Sequence, residues 1–83
     1  MQIADDQMQR LVAALKALPQ DSWQFQRAER CPDRICLRWR RPCGASTHLW
    51  ITTAEVLAYL EADRLEHMAA MALWEAGEWW AHQ

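Results

Sequence analysis

Over the first twenty residues the apolar side chains Met8, Leu11, Val12, Leu15 and Leu18 recur at spacings of three and four, the stripe of an amphipathic helix. Asp5 and Asp6 suit the positive N-terminal end of such a helix and Pro19 stops it, which predicts a helix over about residues 4–18. The period then changes. Trp23 and Phe25 alternate with Gln24 and Gln26, and Ile35, Leu37 and Trp39 alternate with Cys36, Arg38 and Arg40, as in half-buried strands. "CPDR" places Pro32 and Asp33 in turn positions between these runs, and "PCGAS" makes a second turn. "THLWIT" then reads as a short third strand, with Leu49 and Ile51 on the face opposite His48 and Trp50. Strands over about 22–29, 34–41 and 47–52 are expected to pair as an antiparallel meander.

Thr52 and Glu55 stand at the spacing of a capping box. From Ala54 to about Ala81 only Gly77 disfavours helix, which predicts one helix over about 53–81. The chain is thus expected to be a single α+β domain, residues 1–83, of order αβββα. At ~1.5 Å per residue the last helix would span about 42 Å, whereas a compact domain of this length is about 30 Å across. Its final turns are expected to overhang the body unless Gly77 bends them back. Spaced at 100° intervals, Val56, Leu60, His67, Met71 and Trp74 share one side, with Leu57, Met68, Ala72 and Trp79 beside them. Leu65, Leu73, Trp80 and several alanines extend that arc, leaving a narrow polar stripe of Tyr59, Asp63, Glu66 and Gly77. A helix apolar over so much of its surface needs cover on several sides.

Composition sharpens the excess. Six tryptophans accompany one Phe and one Tyr in 83 residues, and each Trp brings roughly 150–250 Å² to be hidden in a domain that buries only about two thirds of its unfolded surface. The net charge is −2, unevenly spread. Residues 21–41 hold six arginines against Asp21, Glu29 and Asp33, and residues 53–83 hold six acids against Arg64. No run approaches the ~20 apolar residues of a membrane span, and Asp5 and Asp6 stand where a signal peptide would be basic and then apolar. Three cysteines, an odd number, argue against a disulfide framework, so a cytoplasmic chain with reduced thiols, no membrane and no cofactor is expected.

Four chemistries compete for the remaining residues. Cys31, Cys36, Cys43 and His48 form a C-x4-C-x6-C-x4-H series, but its spacings are poor for a structural zinc site. A strand through Ile35–Arg41 would also hold Cys36 and Cys43 about 23 Å apart at ~3.3 Å per residue. Arg34, Arg38, Arg40 and Arg41, with Arg27 and Arg30 and with Trp39 or Trp50 as a stacking platform, could track nucleic acid, although a phosphate binder is usually net basic. His48, His67 and His82 have no nucleophile or carboxylate at a motif spacing, and two glycines are too few for a phosphate loop, so an enzyme is not expected. His67, on the apolar side of the wheel, reads as a packed residue. The reading that best uses the surplus apolar surface is a protein-binding module, as a homodimer or a hetero-complex, with Trp74, Trp79, Trp80, Met71 and Met68 as its interface, because Trp and Arg dominate interface hot spots.

No family motif is matched by any stretch. In size, in its Ala, Arg and Trp richness and in lacking a recognisable catalytic motif, the chain resembles the short single-domain proteins that phages and mobile elements make to block a host protein. Anti-CRISPRs, pilus-motor inhibitors and quorum-sensing anti-activators are of this kind. The resemblance implies a stoichiometric inhibitor or regulator and carries over no functional residue. The strand reading predicts that the three cysteines hold no structural metal: metal analysis should find well under one zinc per chain, and chelation should leave the melting curve unchanged.

Overall fold

The computed structural model describes residues 2–20 and 22–81; His82 lies outside them. The order is α1 (Asp5–Lys16), β1 (Gln24–Arg30), β2 (Arg34–Arg40), β3 (Ser46–Thr52), α2 (Thr53–Glu61) and α3 (Leu65–Ala81). It is the expected α+β layout, with the C-terminal helical segment in two pieces. The strands form an antiparallel sheet in the order β1-β2-β3. The "CPDR" turn closes with a hydrogen bond from Cys31 N to Arg34 O at 2.9 Å, and the second turn uses Gly44 at φ 96°, which only glycine adopts without strain.

One sheet face packs under the helices. Ile35, Leu37 and Trp39 of β2 lie opposite Ile51, Leu49 and Thr47 of β3, and opposite Arg30, Ala28 and Phe25 of β1. A bulge between Phe25 and Arg27 shifts the register by one, so the inner face passes from Phe25 to Ala28 rather than to Arg27. Met8, Leu11, Ala14 and Leu15 of α1 and Val56 and Leu60 of α2 complete the core together with α3.

The single long helix expected over 53–81 is interrupted at Ala62–Arg64. Asp63 takes a left-handed conformation, φ 57°. Its N–H bonds Leu60 O at 3.2 Å, and the N–H of Arg64 reaches back to Tyr59 O at 2.9 Å. These paired bonds define a Schellman cap, which ends α2 and redirects the chain. The remaining 17 residues of α3 span only about 26 Å, well within the molecule's longest dimension of 35 Å, so the expected overhang is absent. Gly77 does not interrupt the helix, which runs unbroken from Leu65 to Ala81.

The break also resets the helical phase. Leu65, Met68, Ala69, Ala72 and Ala76 face the core, a stripe of mostly small residues that lets α3 lie close to the sheet. His67, expected on the packed side, is exposed. At the C-terminal end of α3 the Thr47 hydroxyl donates to Ala76 O at 3.0 Å in the buried interior. Beside it the Arg41 guanidinium sits between the rings of Trp23, at 4.5 Å, and Trp80, at 4.4 Å, and those two rings meet edge to face at 5.5 Å. Cation–π contacts of this kind contribute about 0.5–2 kcal/mol each.

The left-handed residue at the cap yields a test. Replacing Asp63 with Gly removes the β-carbon penalty of that conformation and should stabilise the fold by about 0.5–1 kcal/mol. A thermal melt should show a midpoint a few degrees higher; a lower one would mean that Asp63 contributes more through its side chain than through its backbone.

Candidate functional site

The large apolar residues left exposed are Trp50 (43%), Met71 (43%), Trp74 (68%) and Trp79 (46%), and all but Trp74 adjoin β3. Trp50 is on the strand. Met71 lines a small cleft of about 70 Å³ together with Leu49, Trp50, Ile51, Tyr59 and Glu75. Trp74 follows Met71 by three residues on the same helix, hence on the same face. The ring of Trp79 lies 5.1 Å from that of His48 on β3. Because Leu49, Trp50 and Ile51 are consecutive and point to alternate faces, the cleft they share runs along the edge of the strand.

That edge presents backbone as well as side chains. Hydrogen bonds from Thr53 N to Asp33 O, 3.1 Å, and from Arg41 N to Ala45 O, 2.7 Å, bracket the β2–β3 ladder. In antiparallel pairing every second opposed pair exchanges hydrogen bonds. The bonded pairs are therefore Ile35–Ile51, Leu37–Leu49 and Trp39–Thr47, and the backbone N–H and C=O groups of Ser46, His48 and Trp50 point away from β2. Among the described residues no strand pairs with this side of β3. The opposite edge is treated differently. On β1 the Phe25 N–H donates to the Gln20 side chain at 2.7 Å, and Arg30 ties the strand to Ile3 O at 3.0 Å and to Asp5 at 2.6 Å.

The outer sheet face carries Arg27, Arg34, Arg38 and Arg40 with His48 and Trp50. Arg27 pairs with Glu29 at 2.7 Å, and Arg34 stacks over the Trp50 ring at 4.4 Å. Arg38 and Arg40 have no acidic partner among the described residues. Across the β3 edge the sign reverses, with Glu55 and Glu75 lining the cleft on the helix side. The arginines expected to act as one basic set are thus divided. Arg34, Arg38 and Arg40 share the outer face, while Arg41 is held in the tryptophan cluster.

The tryptophan-rich set is divided as well. Trp74, Trp79 and Met71 are exposed, but Met68 is in the core and Trp80 is half-buried against Trp23 and Arg41. Trp80 is expected at an interface because an overhanging helix leaves it without neighbours, which the shortened, returning α3 supplies; Met68, expected there as part of the surplus apolar arc, is covered by the core. The four zinc candidates are not brought together. Cys31 and Cys43 sit in turns at opposite ends of β2, Cys36 is sealed within the strand, and no metal-binding cluster occurs among the described residues. No described helix is long and apolar enough to cross a membrane. The sequence offered one unused signal for the β3 edge: in a three-stranded meander the last strand must be an edge, and "LWI" on it is apolar on both faces.

Family models, curated proteins and solved structures contain no match to this chain.

Burial pushes the Cys36 thiol above its ordinary value, with Arg38 pulling it back in part. The folded state therefore holds this proton more tightly than the unfolded chain. Stability from Cys36 is complete below the ordinary thiol range and falls as the pH rises through it. Iodoacetamide near neutral pH should alkylate exposed Cys43 first, and Cys36 only after denaturant unfolds the chain; early labelling at Cys36 would show that the strand opens locally.

Proposed function

We propose that this chain is a small, non-enzymatic protein-binding module that acts stoichiometrically on another protein in the cytoplasm, as an inhibitor or regulator of the kind phages and mobile elements direct at host proteins. The observation that carries the reading is the gathering of Trp50, Met71 and Trp79 around one strand edge, with Trp74 exposed one turn beyond Met71 on the same helix. Scattered exposed apolar residues are ordinary on a monomer, whereas a contiguous group of them marks an interaction surface. Aromatic side chains with arginine nearby are also what interface hot spots are made of, and Arg34 is stacked on Trp50. Catalysis finds little to work with here. The His48 ring lies against Trp79, and burial suppresses the Cys36 thiolate.

The test compares surface variants with a core-facing one. Trp50→Ala and Trp74→Ala should each weaken a complex formed with the protein's cellular target by about 2 kcal/mol or more, read by calorimetry on purified components, with melting temperatures unchanged. Trp80→Ala should instead lower the melting temperature, since its ring packs on Trp23 and Arg41. A complex indifferent to both surface variants would overturn the assignment of this face.

A further inference from the structure

We infer that the β3 edge takes up an extended segment of the partner as a fourth strand, and that this segment alternates acidic residues with basic or aliphatic ones. The inference rests on the protein-binding reading above and specifies its mode. The outward-pointing N–H and C=O groups of Ser46, His48 and Trp50 form the hydrogen-bonding row that strand addition uses. On β1 the outward Phe25 N–H is already taken by the Gln20 side chain, whereas among the described residues no backbone bond from outside the sheet reaches Ser46, His48 or Trp50.

Charge fixes the chemistry of the incoming strand. Its successive side chains must point to opposite faces of the extended sheet. Those on the outer face come up beside His48 and Trp50, with Arg34 stacked on Trp50 and Arg38 one strand further in, a basic face where carboxylates are favoured. The alternate ones enter the cleft beside Leu49, Met71, Glu55 and Glu75, where a lysine can lay its aliphatic stem on Met71 and its ammonium against a glutamate. A second copy of this chain fits poorly. Joining β3 to β3 about a two-fold axis would bring basic face to basic face and acidic flank to acidic flank, and like charges opposed across strands are destabilising. Single-stranded nucleic acid meets a basic face bordered by those glutamates, and one face of Trp50 is already covered by Arg34.

The test uses a blocked synthetic peptide of about nine residues, the length of an ordinary strand, with Glu alternating with Val and Lys. Its isomer of the same composition has the glutamates run together. The alternating peptide should bind the full chain at least about tenfold more tightly than the isomer, weaken with added salt, and shift the amide resonances of Ser46, His48 and Trp50. N-methylating every second peptide amide should abolish binding in one phase and spare it in the other. His48→Pro should also abolish binding while the sheet stays folded, because the lost N–H points outward; if that variant unfolds, the N-methylated peptides alone decide. Equal binding of the two isomers, or of both N-methyl phases, overturns strand addition. So does tighter binding of a single-stranded oligothymidine to the Arg34 and Arg38 face, or a dimer of the chain that the peptide fails to disrupt. If a partner complex depends on Trp50 and Trp74 while the peptide neither binds nor competes, strand addition falls and the binding-module reading stands.

Discussion

The left-handed cap at Asp63 governs the shape of everything after the sheet. With α2 and α3 as one rod, the C-terminal turns would project beyond the body. With the reversal supplied by the Asp63 and Arg64 backbone bonds, α3 returns across the sheet. It can settle there only because the face it turns inward is Ala69, Ala72 and Ala76 flanked by Leu65 and Met68. Small residues at a helix–sheet contact permit close approach, and close approach brings Ala76 O within 3.0 Å of the Thr47 hydroxyl. The geometric consequence is an inversion of the usual arrangement, in which the helix buries its alanines and displays Met71, Trp74 and Trp79.

The inversion separates the groups that hold the fold from those that face outward. Trp39 fills the centre beneath the helices with Phe25 against it at 5.8 Å, and Trp23, Arg41 and Trp80 clamp the end of α3 to the start of β1 and the end of β2. None of these lines the β3 cleft. Large-to-small changes in the first group remove fully packed contacts, whereas in the second they remove side chains that are 43–68% exposed. The electrostatic division follows the same boundary. The outer sheet face is rich in arginine because β2 alternates arginine with its core residues, and the acids of α2 and α3 lie on the helix side. β3 is the seam between the two.

Much of this was legible in the residue pattern, and the misses have identifiable causes. The meander, both turns, α1 and the Thr52 cap follow from periodicity and turn chemistry, and the Thr52 hydroxyl does accept from Glu55 N at 3.1 Å. The break at Asp63 was not legible, because aspartate enters the left-handed region only where the surroundings reward it, and "ADR" carries no glycine to announce it. That one residue accounts for His67, which a single helical wheel places on the packed side, and for Trp80, which an overhanging helix would leave without the neighbours it has. The bulge near Gln26 is similarly silent, and it is why Ala28 rather than Arg27 faces inward. For the candidate site, the surplus of apolar surface points to Met71, Trp74 and Trp79, whereas the pattern around Trp50 suggests only a stacking platform for the arginines. Its position on the seam depends on strand order and ladder phase, which neighbouring residues in the chain do not encode.

A free strand edge beside exposed tryptophans is hazardous for a small protein, because it invites pairing with any extended chain. Two features of this edge restrict that hazard. Only Ser46, His48 and Trp50 turn their backbone groups outward, so an added strand gains few hydrogen bonds and must draw on side-chain contacts. The charges on either side of β3 are of opposite sign, so a neutral or singly charged strand gains nothing from one flank and a like-charged copy is repelled by both. In the proposed mode of binding, an edge built this way would discriminate by the alternation of its partner rather than by hydrophobicity alone. In the same proposed mode, the opposition of sign would set the exposed aromatic rings against the most concentrated competitor in any solution of the chain, a second molecule of itself.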